Sequence, residues 1–89
     1  MKPTDVTCAL TAKGFVEERS RRHIFFRISD NDGTYLAQTH ISHNRKEIGN
    51  DLQRSMAHQM NLTLSQFKQF VSCTITEAQY RSILRDKEV

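Results

Sequence analysis

The sequence predicts an α+β fold in which a three-stranded antiparallel sheet is covered by helices on one face and exposed on the other. Residues 20–28 read Ser-Arg-Arg-His-Ile-Phe-Phe-Arg-Ile, and their side chains alternate with the period of two that is typical of a strand. Further along, apolar side chains recur at every fourth position, namely Ile48, Leu52, Met56 and Met60, and this spacing predicts a helix over about residues 46–60. Short polar turns join the predicted strands, and sheets connected in this way commonly keep one face in water.

A short helix is predicted at the N-terminus, over about residues 4–13. Thr4 or Asp5 can cap its start, because their side-chain oxygens accept hydrogen bonds from the backbone N–H groups of the first turn. Gly14 can end it, since glycine readily adopts the left-handed conformation that follows many helices.

Three strands are predicted to follow, over about residues 15–19, 21–29 and 34–41. A tight connection near Ser20 joins the first two. The Asp-Gly pair after the second strand is typical of a hairpin, because glycine tolerates the positive φ that such turns require. The phase of the third strand stays open, since either Leu36 or the pair Tyr35 and Ala37 can face the core.

Two short helices are predicted in the C-terminal third of the chain, each opened by a Thr-x-x-Gln capping box. These boxes are Thr63 to Gln66 and Thr76 to Gln79. The helical spacing of Phe67, Phe70 and Tyr80 favours core packing or an association surface over a ligand cage. We therefore expect a core of residues 1–62 and a helical extension of residues 63–89, packed together as a single domain.

Composition narrows the function classes. A chain of 89 residues is one small domain, and its formal net charge of +3 leans towards anionic partners. Cys8 and Cys73 lie far apart without a Cys-x-x-Cys pair, so neither a disulfide scaffold nor a structural zinc site is indicated. No apolar run resembles a signal peptide or approaches the roughly 20 residues of a membrane helix. A reduced cytoplasmic protein that does not bind membranes is the expectation.

The middle strand carries the candidate binding surface. Alternation places Arg22 on the core face with Ile24, Phe26 and Ile28, and a second set on the exposed face. The exposed set is Arg21, His23, Phe25 and Arg27, with Arg19 joining it across the tight turn. Cations beside an aromatic ring suit a phosphate backbone with unstacked bases. A solvated strand with ordinary surface arginines is the alternative.

His23 is the candidate catalytic residue. A neutral imidazole can accept the proton of a ribose 2′-hydroxyl, while neighbouring arginines hold the phosphate that this hydroxyl attacks. We expect Arg21, Arg22 and Arg27 to contact phosphate, and no metal or other cofactor to be needed. A structural or surface histidine is the alternative, since most histidines have no catalytic role.

A second basic cluster lies between the end of the third predicted strand and the start of the next predicted helix. Its candidate anion contacts are His43, Arg45 and Lys46, next to a helix start whose free N–H groups attract phosphate. The spacing of His40 and His43 could suit a metal ion. A zinc site needs three or four ligands, however, and the sequence does not supply the others, so no metal site is expected.

Five short motifs lie between residues 10 and 52. They are L-x-x-K-G-F-V at 10–16, an arginine at 19, H-I-F-F-R at 23–27, D-G at 32–33 and H-N-R-K-E-I at 43–48. With these motifs the chain resembles the HicA family of small toxins from bacterial and archaeal toxin–antitoxin pairs. It departs from the family in having Arg21 and Arg22 where members usually place Gly-Ser before a histidine, and in its helical tail.

The resemblance implies a fold like that of the double-stranded-RNA-binding domain, α-β-β-β-α, and an mRNA endoribonuclease whose single catalytic histidine corresponds to His23. It also implies an antitoxin protein as a partner. The residues leave two other classes open. One is a non-catalytic nucleic-acid-binding or protein-interaction module that dimerises through its C-terminal helices, and the other is a purely structural or protein-pairing domain that binds no RNA.

Overall fold

The computed structural model describes residues 1–44 and 46–87, which form four helices and one three-stranded sheet. In chain order the elements are α1 (Pro3–Ala12), β1 (Val16–Arg19), β2 (His23–Ser29), β3 (Tyr35–Ser42), α2 (Asn50–Gln59), α3 (Leu64–Val71) and α4 (Glu77–Lys87). The strands lie in the order β1-β2-β3, and both neighbouring pairs are antiparallel. The α+β class and the antiparallel sheet are therefore confirmed. None of the described helices is both long and apolar enough to cross a membrane.

Helix α1 begins at Pro3, and no side chain caps it. Proline suits the first turn of a helix, because it lacks an N–H group that would find no partner there. The prediction that Thr4 or Asp5 caps this helix was therefore wrong, since both lie inside its first turn. Gly14 follows the helix with a φ of +100°, which agrees with its predicted role in ending it.

The connection between β1 and β2 is a tight turn that begins at Ser20. The Ser20 amide donates a hydrogen bond to the His23 carbonyl at 2.9 Å, and β2 begins only at His23. Arg21 and Arg22 lie in this turn, and both are exposed. The prediction that Arg22 shares the core face was wrong, because the alternation of a strand applies only from His23 onward.

The connection between β2 and β3 is held by Asp30. Its Oδ1 accepts hydrogen bonds from the amides of Asp32 and Thr34, at 3.2 and 3.0 Å. Gly33 in the same turn has a φ of +87°, which favours glycine because L side chains rarely adopt it. The Asp-Gly pair therefore does form the predicted hairpin turn.

The sheet buries one face beneath the helices. The buried side chains stand at alternate positions of β2 and β3, and all are at most 8% exposed, namely Ile24, Phe26, Ile28, Ala37, Thr39 and Ile41. Ala37 thus defines the phase of β3 that the sequence left open. The hydroxyl of Thr39 donates to Gln59 Oε1 of α2 at 2.7 Å, so the one polar member of this layer is satisfied.

Helix α2 begins at Asn50, later than the predicted start near residue 46. Gly49 precedes it in an extended conformation and offers no side chain to cap it. Three of the four positions of the predicted apolar stripe are nevertheless fully buried, because Ile48, Met56 and Met60 are 0% exposed, while Leu52 is half-buried. Ile48 and Met60 simply lie just outside the two ends of the helix.

The C-terminal extension shares the core with the sheet. Both predicted capping boxes form, Thr63 with Gln66 and Thr76 with Gln79. Phe67, Phe70 and Tyr80 are 0% exposed, and the rings of Phe70 and Tyr80 lie 6.1 and 5.7 Å from that of Phe15. The Tyr80 hydroxyl donates to the Met60 carbonyl at 2.9 Å. Phe67, Phe70 and Tyr80 are therefore core residues, which is one of the two roles that their spacing predicted.

Candidate nucleic-acid interface

The face of the sheet opposite the helices is called the open face. Its side chains come from alternate positions of the three strands, namely Val16, Glu18, His23, Phe25, Arg27, Gln38 and His40. The register pairs Phe25 with Glu18 on one side and with His40 on the other, so these side chains are neighbours across the sheet. Val16 is 69% exposed, and every other member is exposed or half-buried. The open face is therefore accessible to a ligand.

Three rings form an aromatic cluster on the open face. The imidazoles of His23 and His40 meet edge to face with centroids 5.1 Å apart. The Phe25 ring lies 6.0 Å from His23 and 5.5 Å from His40. All three side chains are half-buried, since they cover one another. Rings of this kind can stack on unpaired nucleic-acid bases.

Arg27 is held by its neighbours on the open face. Its Nη1 donates to Glu18 Oε2 at 2.8 Å, and its Nε donates to Gln38 Oε1 at 2.7 Å. The guanidinium also lies 6.0 Å from the centroid of the Phe25 ring. An exposed ion pair contributes only about 0–1 kcal/mol, so a phosphate can replace Glu18 as the partner of Arg27 at little cost.

Arg21 and Arg22 stand at the end of the open face, next to His23. Within the part of the chain that the structure describes, no carboxylate lies within ion-pair distance of either arginine. His43 braces their turn, because its Nε2 donates to the Ser20 carbonyl at 2.7 Å and its amide donates to the Arg22 carbonyl at 3.4 Å. One ring nitrogen of this predicted anion contact is thus engaged in holding the turn.

Arg19 does not join the open face. It is paired in register with the buried Ile24, which places it on the helix side of the sheet. Its Nε donates to Glu17 Oε2 at 3.0 Å, and its side chain lines a cavity of about 370 Å³ beside α1. The expectation that Arg19 extends the exposed set across the turn is therefore corrected, because the odd and even positions of β1 face opposite ways.

The second basic cluster is described only in part, because Arg45 lies outside the described residues. Lys46 is exposed in the segment that precedes α2. Its neighbour Glu47 forms an ion pair with the amino group of Met1. Since α2 begins only at Asn50, Lys46 stands ahead of the helix start that was expected to attract phosphate.

His40 is the site residue that the sequence analysis missed. The sequence indicated for it only a metal-ligand role with His43, whereas β3 continues to Ser42 and turns His40 to the open face. The signal that could have found it is the position of Ile41, because an inward isoleucine turns its neighbour outward. Within residues 1–44 and 46–87, no three His, Cys, Asp or Glu side chains are grouped as metal ligands.

Comparison of the chain with protein-family models, with curated proteins and with solved structures finds no match. What the open face can do therefore follows from its own chemistry. It offers two imidazoles and a phenyl ring on the uncovered side of the sheet, with exposed arginines at one end. Flat rings can stack on bases, guanidinium groups can bind phosphate, and imidazoles can transfer protons.

Proposed function

We propose that the chain binds RNA through the open face and cleaves it with His23 as the general base. The observation that carries this proposal is the aromatic cluster of His23, Phe25 and His40, with Arg21 and Arg22 exposed at its end. Such a surface can hold bases by stacking and phosphates by charge at the same time. The imidazole of His23 then lies where a bound ribose can reach it.

Single-stranded RNA fits the open face better than a duplex does. In a duplex the bases stack on one another, so their faces are closed to Phe25 and to the imidazoles. An unpaired strand can place one base on Phe25 while its neighbouring phosphates approach Arg21 and Arg22 at the end of β2. The proposed substrate is therefore an unpaired segment of RNA.

The position of His23 supports cleavage. The resemblance to HicA toxins aligns the catalytic histidine of that family with this residue. The same resemblance implies a fold like that of the double-stranded-RNA-binding domain. The α-β-β-β-α order of the first five elements supports such a fold. We infer an mRNA substrate and an antitoxin partner from this resemblance alone, and a cytoplasmic location from the two separated cysteines and the absence of a signal-peptide pattern.

A second candidate is RNA binding without cleavage. The observation that favours it is the pairing of Arg27 with Glu18 and Gln38, which a phosphate must replace before this guanidinium can take part in the reaction. While Arg27 stays paired, the reacting phosphate has one cation fewer to stabilise its developing charge. The open face would then retain RNA through stacking and charge alone.

Dimerisation through the C-terminal helices has less support. Four large apolar side chains of α3 and α4 are buried within the chain itself, namely Phe67, Phe70, Tyr80 and Leu84, and Leu64, Val71 and Ile83 are half-buried. A dimer built on α3 and α4 needs an exposed apolar face, and the exposed large apolar side chains of the described residues, Val16 and Tyr35, lie on the sheet instead.

The test compares wild type with His23→Ala on a fluorescein-labelled, mixed-sequence single-stranded RNA in the presence of EDTA. Anisotropy measures binding over a series of salt concentrations, and gel electrophoresis measures cleavage. His58→Ala is the matched control, because His58 is exposed on α2. We expect His23→Ala to slow cleavage by roughly 10²- to 10⁴-fold and His58→Ala to leave it unchanged.

Cleavage by His23→Ala at the wild-type rate would remove the catalytic role of His23. Salt-dependent retention of the RNA without any cleavage would establish the second candidate instead. If wild type shows no salt-dependent binding at all, RNA binding by this chain is ruled out.

A further inference from the structure

We propose that His40 is a second catalytic residue, which protonates the 5′-oxygen leaving group while His23 removes the proton from the 2′-hydroxyl. This inference rests on the proposed ribonuclease function. It assigns two imidazoles to the reaction, where the family resemblance implies only one. The open face would thus carry a general base on β2 and a general acid on β3.

The first support is the geometry of the pair. The two imidazoles come from neighbouring strands and meet edge to face at 5.1 Å between centroids. Both rings belong to the open face and both are half-buried, so a ligand can reach them from solvent. A phosphate seated above this contact would lie next to both imidazoles, which is the proximity that general base and general acid need to act on one displacement.

The second support is the availability of the ring nitrogens. Among the described residues, neither the ring of His23 nor the ring of His40 forms a hydrogen bond. His43 differs, because its Nε2 donates to the Ser20 carbonyl at 2.7 Å. The rings of the pair therefore keep their nitrogens for a substrate, whereas one nitrogen of His43 is taken up by the turn.

The third support is the position of Phe25. Its ring flanks both imidazoles, at 6.0 Å from His23 and 5.5 Å from His40. A base that stacks on Phe25 brings the adjoining ribose and phosphate next to the pair of histidines. The same side chain that binds the strand would therefore position the bond that breaks.

The reaction balances without a metal ion or any redox partner. The 2′-oxygen forms a bond to phosphorus as its proton passes to His23. The bond from phosphorus to the 5′-oxygen breaks, and that oxygen takes a proton from His40. The products are a 2′,3′-cyclic phosphate and a 5′-hydroxyl, and proton exchange with water restores both imidazoles. A single ring nitrogen cannot accept one proton and donate another in the same step, so a second imidazole can protonate the leaving group while the first acts as base.

The experiment varies the leaving group. RNA releases a 5′-alkoxide, which leaves slowly unless it is protonated, whereas uridine 3′-(4-nitrophenyl phosphate) releases a phenolate that needs no proton. Cleavage of the mixed-sequence RNA and of this aryl ester is measured for wild type, His23→Gln, His40→Gln, His40→Asn and the control His58→Gln. The affinity for the RNA and the thermal unfolding of each variant are measured as well, to test whether the variant folds and binds.

We expect His40→Gln and His40→Asn to slow RNA cleavage by roughly 10²- to 10⁴-fold while cleaving the aryl ester within a few-fold of wild type. His23→Gln should slow both reactions. Equal losses on both substrates for the His40 variants would assign His40 a positioning role and overturn the inference, and so would unimpaired RNA cleavage by them. Full activity of His23→Gln would contradict only the assignment of His23 as the general base. A wild type that cleaves neither substrate would overturn the assignments of both His23 and His40.

Discussion

The ring of Phe25 lies against the imidazole of His40, with centroids 5.5 Å apart and ring planes inclined by 40°. The two residues are directly opposite each other in the register of β2 and β3. The Phe25 ring is thus held beside His40 on the side of the sheet that the helices leave open. Its neighbours on the face, among them Arg27, supply charge rather than further apolar cover.

Phe25→Leu should weaken binding of single-stranded RNA. Stacking of a base on an aromatic ring contributes about 1–3 kcal/mol, which corresponds to roughly 5- to 150-fold in the dissociation constant. Fluorescence anisotropy at fixed salt measures the change. Tyr35→Leu is the matched control, because Tyr35 is an aromatic residue that is 59% exposed outside the aromatic cluster. Equal affinities for the two variants would contradict a stacking role for Phe25.

Arg21→Gln and Arg22→Gln should each lower the salt dependence of RNA binding. An arginine that contacts a phosphate displaces a counterion, so its loss reduces the slope of log K against log salt by about 0.7 for a single strand. Titrations at several salt concentrations measure this slope. Arg54→Gln serves as the control, because Arg54 is an exposed arginine on α2. If Arg54→Gln changes the slope as much as the other two variants, binding is not directed to the open face.

Glu18→Gln should strengthen RNA binding by a few-fold. The change removes a negative charge from the open face and releases Arg27 from the ion pair at 2.8 Å. Glu17→Gln is the matched control, because it breaks the ion pair with Arg19 on the opposite side of the sheet. Both substitutions should alter the free energy of unfolding by at most about 1 kcal/mol, since exposed ion pairs contribute little. Equal effects of the two variants on affinity would show that only net charge matters.

Tyr80→Phe should destabilise the fold without affecting RNA binding. The Tyr80 hydroxyl donates to the Met60 carbonyl at 2.9 Å, and Tyr80 is buried in the core that the helices form on the other side of the sheet from the aromatic cluster. A hydrogen bond of this kind contributes about 0.5–1.5 kcal/mol, which urea unfolding at neutral pH can measure. A variant as stable as wild type would show that this bond does not anchor α4.

Wild type and Tyr80→Phe also test how the free energy of unfolding depends on pH. Burial raises the pKa of Tyr80 above its ordinary value of 10.0 in the folded state. The unfolded chain therefore loses this proton first as the pH rises through about 10, so the stability that Tyr80 contributes is present below that pH and lost above it. Phenylalanine cannot ionise, and the stability difference between wild type and Tyr80→Phe should shrink above pH of about 10. A constant difference would contradict the buried, neutral state of Tyr80.

The sequence predicted best where the signal is local. The capping boxes at Thr63 and Thr76 form as expected, because a hydroxyl and an amide three residues apart need only one helical turn to meet. Alternation also placed His23, Phe25 and Arg27 on one exposed face, since these three residues lie in an unbroken strand.

The predictions from sequence were wrong where the conformation of a residue depends on another part of the chain. Alternation was extended too far back to Arg22, because the turn closed by the Ser20 and His23 backbone cannot be seen in a pattern of side chains. His40 was missed because the phase of β3 depends on its pairing with β2, and the sequence allowed two phases. The helical stripe of α2 was predicted correctly, while its start was set by Gly49, which precedes the helix in an extended conformation.

The central claim, that the open face is the surface that contacts RNA, is tested most directly by NMR. Amide and side-chain resonances of labelled wild type are followed as unlabelled single-stranded RNA is added. We predict that the shifts which move most belong to β2, to β3 and to the turn at Arg21, with the imidazole signals of His23 and His40 among them. Shifts confined to α2, α3 or α4, with the signals of His23 and Phe25 unchanged at saturating RNA, would contradict the account.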